Sequence, residues 1–208
     1  CALVPMHIVI GHAEGIKTQY SGTIWLDGVE YEVIPEKSYG YADKNWGGDF
    51  TKPWVWLTSC NLKSQISNQV MKNSCFDIGG GCPKIFGIPL KRRLLVFLKT
   101  EDNVYEFNFS KFWKPSKVKF DFTETEDSLH WFVSAENKKY LLDVDVYCPK
   151  SETLFMNYES PLGRKDFEKL WNGGTGYGSL KLFRKRRGTL EIVEDIVANN
   201  CGCEYGEY

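Results

Sequence analysis

Residues 117–123 read KVKFDFT. Val118, Phe120 and Phe122 recur at every second position, with Lys117, Lys119, Asp121 and Thr123 between them. Successive side chains on a strand point to opposite faces, so this segment reads as a strand with one face on a core and one toward water. The same period returns in LDVDVY, where Leu142, Val144 and Val146 oppose Asp143, Asp145 and Tyr147. In SLKLFR it sets Leu180 and Leu182 against Lys181 and Phe183.

The connections between such runs read as hairpins. IWLDGVEYEV places Asp27-Gly28 between two strand-like runs, the strongest short hairpin signal. Further turns are expected at 101–103, 136–138 and 186–188. Strands recurring at roughly 8–12-residue spacing argue a sandwich or barrel. The expected fold is therefore all-β. It is an antiparallel meander forming a lipocalin-like β-barrel or a strongly curved sandwich, since closure removes exposed strand edges. Few short helices are expected, at 65–72 and 164–171. No repeat or low-complexity linker divides the chain, so residues 1–208 read as one β-barrel-like domain, with 1–36 as the end of an upstream β-rich region.

Composition narrows the partners. Hydrophobic residues make up 42% of the 208 residues and aromatics 15%, enough to bury a substantial core. The net charge of −1 argues against a nucleic-acid partner, whose binding rests on excess Lys and Arg. No apolar run approaches the ~20 residues of a membrane-spanning helix. The chain opens CALVPMHIVI, with neither an initiator Met nor a signal-peptide pattern, and reads as a processed, trimmed or partly covered product; a cytoplasmic location is expected. Its seven cysteines are odd in number and include no C-x-x-C pair, so they read as reduced, partly buried small hydrophobes. Cys201 and Cys203 should share one face of a strand.

Nucleophile elbows, Walker loops, dinucleotide fingerprints and zinc-protease motifs are missing from the sequence. The glycines of DIGGGCPKIFGIP suit a turn or a close approach of backbones. The runs Lys91-Arg92-Arg93 and Arg184-Lys185-Arg186-Arg187 suit solvated turns and protected edges. His130 in SLHWFVS faces solvent if Trp131 faces the core. Trp171 and Asn172, in LWNGGTGYGSL, are candidates for a cavity mouth.

The densest chemistry lies in YGYADKNWGGDF, residues 39–50, followed closely by Trp54 and Trp56. An aspartic acid kept protonated by an apolar wall delivers a proton, and aromatic faces stabilise the cation that results. The same residues would serve equally as a hydrogen-bonded plug on a barrel end.

YGYADKNWGGDFTKPWVWLTSCN resembles the signature of the tocopherol cyclase family through Tyr41, Asp43, Lys44, Asn45, Trp46, Gly47, Phe50, Trp54, Trp56 and Asn61. VPMHIVIGHAEG, SCFDIGGG and ANNCGCEYGEY are similar to flanking family segments. The sequence departs from the family pattern at Asp43, where Glu is usual, and at Thr51-Lys52-Pro53, where the proline is shifted. The resemblance implies a lipocalin-like barrel, of which this chain is the C-terminal two thirds of a member. It also implies binding of an apolar, isoprenoid or lipid-like small molecule, and a proton-initiated closure of a prenylated quinol without metal or redox cofactor. Asp43 would then be the acid, oriented by Lys44 and Asn45. Tyr41, Trp46, Trp54, Trp56 and Asn61 would line the cavity, with His130 and Glu204 as further candidates. Two other readings stand beside this one. The first is a lipocalin-like lipid carrier without chemistry. The second is a glycan-binding sandwich with Trp54 and Trp56 facing solvent.

Overall fold

The computed structural model describes residues 6–7, 10–46, 53–82, 84–85, 88–89, 91–109, 111, 113–159 and 165–206. Within these, the side chains of 6–14, 16, 43–46, 84–85, 89, 159 and 165–169 lie outside the description. The strands of the first half are β1 (Met6–His7), β2 (Ile10–Gln19), β3 (Gly22–Leu26), β4 (Val29–Val33), β5 (Tyr39–Trp46), β6 (Trp54–Ser59), β7 (Asn61–Ser64), β8 (Cys75–Gly81), β9 (Lys84–Ile85) and β10 (Ile88–Pro89). Those of the second half are β11 (Arg93–Lys99), β12 (Val104–Phe107), β13 (Lys117–Glu124), β14 (Ser128–Glu136), β15 (Tyr140–Pro149), β16 (Thr153–Glu159), β17 (Lys165–Arg186) and β18 (Thr189–Gly206).

Eleven strands form one antiparallel sheet in the order β12-β11-β8-β6-β18-β17-β15-β14-β13, with β16 added on β17 and β7 on β18. The alternation read from sequence decides its faces. Leu142, Val144, Val146, Leu180 and Leu182 are fully buried on the core side, and Val118, Phe120 and Phe122 pack against them. At the centre of that side Trp131 is fully buried among Phe76, Ile78 and Leu57 of the same cluster.

Two ring contacts show that the sheet curls over its core. Phe122 of β13 stacks on Tyr205 of β18 with ring centroids 3.8 Å apart. In a flat sheet those strands, four ladder steps apart, would stand about 19 Å from each other. Tyr105 of β12 likewise meets Tyr140 of β15 edge-on at 5.0 Å. The result is a curled half-barrel, the all-β, barrel-like architecture expected from the pattern.

Preceding the sheet is a long β-arm. β2 pairs with β5, and beyond them β3 pairs with β4. The arm turns at Asp27-Gly28, whose φ values of 50° and 78° are those of a two-residue turn matched to strand twist. Ile24, Leu26, Val29 and Tyr31, on one face of its outer part, are exposed.

The two helices expected at 65–72 and 164–171 do not form. Residues 65–67 are a turn that folds back onto β7, through Ser64 N–H on the Gln69 carbonyl and Met71 N–H on the Leu62 carbonyl. Asn68, with φ of 59°, has a left-handed backbone that a helix excludes. Lys165 to Trp171 belong to β17, held in register by Phe167↔Tyr158 and Trp171↔Phe155. Ladder pairing with distant residues overrides local propensity there. Among the described residues the only helical element is a single 3₁₀ turn, Lys150–Glu152. None of the described helical residues forms a span long and apolar enough to cross a membrane.

Candidate functional site

At the middle of the sheet β6 lies between β8 and β18. Its alternation gives Val55 and Leu57 to the core, and so Trp54, Trp56 and Thr58 to the other face. β18 does the same, with Cys201, Cys203 and Tyr205 in the core and Gly202 and Glu204 opposite. In the ladder Glu204 pairs with Trp56, and Gly202 with Thr58. Gly202 gives the Trp56 indole its room: a Cβ there would stand 2.9 Å from the Trp56 ring and 3.2 Å from Thr58 Cγ2.

Glu204 is only 7% exposed, and among the described residues it is the one buried charged side chain. Burying a carboxyl is costly unless donors replace its water. Here Trp54 Nε1 donates to Oε2 at 2.6 Å, while Tyr158 Oη and Asn172 Nδ2 each lie 2.6 Å from Oε1. These partners come from three different strands, β6, β16 and β17. On the core side Trp131 Nε1 donates to the Glu204 carbonyl at 3.2 Å, so the same residue is fixed from both faces.

Beside this group, the Tyr39 end of the β2–β5 ladder meets the sheet at a cleft of about 330 Å³. Its lining includes Tyr39 and Tyr41 of β5, Thr58 and Ser59 of β6, Asn61 of β7, and Asn200. Asn61 Nδ2 donates to Asn200 Oδ1 at 2.7 Å, and Asn200 has a left-handed backbone with φ of 49°. Against Tyr39 stands Lys17, whose φ of 82° accompanies a register shift in the β2–β5 ladder. Bulges re-aim side chains. This one sends Lys17 Nζ to the Met71 carbonyl at 2.9 Å and to 4.4 Å above the Tyr39 ring. Burial pulls the Lys17 ammonium below its ordinary pKa, against the opposing pull of Cys60, Glu101 and Cys75. Burial also pushes the Cys60 thiol up to about 11 and those of Cys75 and Cys201 to about 12, so these cysteines are unreactive packing groups.

The residues singled out by sequence fall as follows. Tyr41 and Asn61 line the cleft together. Trp54 holds Glu204, and Trp56 donates through Nε1 to Asp77 Oδ1 at 3.1 Å. Both tryptophans are half-buried on one face of β6 with their N–H groups engaged. His130 does face away from the core, but it is half-buried rather than free in solvent. Its Nε2 lies 2.9 Å from Asp145 Oδ1 and its ring stacks on Tyr147 at 4.1 Å. It belongs to β14, three ladder steps from β18, and does not join Glu204. Asp43, Lys44, Asn45 and Trp46 pair through β5 with Ala13, His12, Gly11 and Ile10, and their side chains lie outside the described residues.

Two members of the site escaped the sequence reading. Tyr158 lies in TLFMNYE, a run with no feature that marks it, and only pairing with β17 brings it to Glu204. Lys17 lies at a register shift of the β2–β5 ladder, which only the pairing with β5 reveals. Asn172, a cavity-mouth candidate by sequence, does reach the site.

The sequence segments with family character are far apart in the chain but assemble in two ladders. SCFDIGGG, PWVWLTSCN and CGCEYG become β8, β6 and β18, side by side. HAEG and YADKNW lie in β2 and β5, and the Tyr39–Tyr41 end of β5 faces β6 across the cleft. Among curated proteins, "Probable tocopherol cyclase, chloroplastic" of Oryza sativa subsp. japonica is 29% identical, over 96% of this chain and 39% of its own length. "Tocopherol cyclase, chloroplastic" of Zea mays is 28% identical over the same shares. The chain thus spans about two fifths of the length of these relatives. No solved structure matches it. A family model described as "Tocopherol cyclase-like" matches residues 6–207, and the chain therefore belongs to the tocopherol cyclase-like family.

Proposed function

We propose that the chain binds an apolar, isoprenoid- or lipid-like small molecule between the arm and the Trp54–Trp56 face of β6, and closes a ring on it by proton transfer. The observation that carries this reading is the cleft. Tyr41 and Asn61, from the two blocks of the family signature, line one space of about 330 Å³. The ring-closing activity is taken from the printed names of the curated relatives.

In this reading Asp43 is the acid, tuned or oriented by Lys44 and Asn45, and Trp46 is a cavity-lining residue. Its O–H bond breaks and the proton goes to the less substituted carbon of a trisubstituted alkene. The tertiary cation left behind faces aromatic quadrupoles, such as those of Trp54 and Trp56. A hydroxyl oxygen of the same molecule supplies the electron pair of the new C–O bond and loses its proton. The sum is an isomerisation in which no oxidation state changes.

Incubation with a prenylated quinol, followed by mass spectrometry and chromatography against the cyclised isomer, tests the reading. Replacing general acid catalysis costs roughly 10²–10⁴-fold, so Asp43→Asn should lose at least ~10²-fold in rate with the fold intact. Unchanged product formation by that variant would overturn the assignment of Asp43. A carrier without chemistry would retain the quinol through native mass spectrometry and return it unaltered.

A further inference from the structure

The cleft does not use the most constrained carboxyl of the described residues. We infer that Glu204, acting through Tyr158, is the proton acceptor of the ring closure, with Trp54 and Asn172 as positioning residues. This rests on the reading proposed above and adds to it the group that takes the hydroxyl proton.

Four observations lead here. Glu204 is buried, yet it is built into a set of side chains rather than into packing alone. An indole N–H and an amide N–H can only donate, so Trp54 and Asn172 present Glu204 with both oxygens as acceptors. Tyr158 differs, because a hydroxyl both donates and accepts. At 2.6 Å from Oε1 it can hand its proton to the carboxylate while accepting another from a hydroxyl that reaches its oxygen. Finally, Glu204 shares its face with Thr58, a cleft residue, and is its diagonal neighbour across the β6–β18 ladder, about 7–8 Å away.

The chemistry needs such a group. Attack of a hydroxyl oxygen on a tertiary cation first gives a protonated ether, which reopens readily to the same cation. Removing that proton makes the closure irreversible. The hydroxyl proton passes to the Tyr158 oxygen as the Tyr158 proton passes to Glu204 Oε1. The O–H electron pair stays on the ether oxygen, and no oxidant or reductant is needed. A Glu204 that merely pinned three strands together would affect stability without changing the fate of the cation.

Deuterium separates these roles. The chain and its Glu204→Gln and Tyr158→Phe variants are incubated in D₂O with a prenylated quinol. Cyclised product and recovered quinol are both analysed by mass spectrometry. The unaltered chain should give product carrying one new C–D bond and little deuterium in recovered quinol. Both variants should close the ring at least ~10²-fold more slowly while deuterium accumulates in the recovered alkene, because protonation continues and the cation returns. Ring closure by Glu204→Gln at the unaltered rate overturns the inference, as does slow closure in a folded Tyr158→Phe chain without deuterium uptake. Tyr158→Phe keeps the Trp54 and Asn172 bonds, so it decides the matter if Glu204→Gln fails to fold. Absence of deuterium from product and quinol alike in the unaltered chain sinks the ring-closure reading itself, and this inference with it.

Discussion

The β6–β18 pair presents two different chemistries on its two faces. Toward the core stand Val55, Leu57, Cys201, Cys203 and Tyr205, held mainly by packing, with only weakly polar thiols such as Cys203, on the Gly173 carbonyl, and the Tyr205 hydroxyl to place. Away from it stand Trp54, Trp56, Thr58, Gly202 and Glu204, where indole, hydroxyl and carboxyl groups have named partners at 2.6–3.1 Å. One face tolerates any apolar side chain of the right volume, because dispersion and burial are non-directional. The other depends on donors and acceptors in fixed positions. Period-two alternation lets two five-residue stretches, 54–58 of β6 and 201–205 of β18, meet both demands at once.

Leu57→Ala strikes the core face alone. It should cost about 2–5 kcal/mol of stability, read as a lower denaturant midpoint, while ligand binding per folded molecule stays unchanged. A loss of binding at full stability would show that the two faces are not independent. Gly202→Ala strikes the other face, because the added methyl meets the Trp56 ring at 2.9 Å. Overpacking of this kind costs about 1–3 kcal/mol and should shift Trp56 emission, with the core untouched. If the variant melts like the parent, the Trp56 ring has another place to go and the face is looser than described.

The smallest effect belongs to the partly exposed ion pair between the end of β13 and the 3₁₀ turn. There Lys150 pairs with Glu124 at 2.7 Å and lies over the Trp171 ring. The hydrogen bond from Lys150 holds the Glu124 carboxyl below its ordinary value of 4.5. A depressed carboxyl stabilises the fold above that value, and the contribution is lost as pH falls through the lower, folded one. Glu124→Gln should therefore cost no more than about 1 kcal/mol at pH 7, and the difference should vanish below the ordinary glutamate range. Thermal melts of both proteins at pH 7 and pH 3 check the sign.

The core face was readable in sequence and the other face was not. Val118, Phe120 and Phe122, or Leu142, Val144 and Val146, announce their side by alternation, because burial acts on each residue separately. The hairpin turns at Asp27-Gly28 and Arg187-Gly188 announce themselves through left-handed φ values that few residues adopt. The donors of Glu204 sit at 54, 158 and 172, and nothing local ties those positions together. Glu204 itself stood out only through family likeness, not through any pattern of its own. Residues 165–171 misled for the same reason, since their strand state is imposed by Tyr158 and its neighbours.

The separation of Trp54 from Glu204, 150 residues along the chain, also sets a timetable. β17 and β18 join through a two-residue turn, a local event that closes quickly. β6 can pair with β8 soon after both exist, but its other neighbour begins roughly 130 residues later. At ribosomal speeds of roughly 5–20 residues per second, that edge of β6 waits on the order of ten seconds for its partner. During that interval the growing chain exposes an open strand edge flanked by Trp54 and Trp56. β18 both seals that edge and supplies Glu204, so chains in which it has not yet paired with β6 also lack the site.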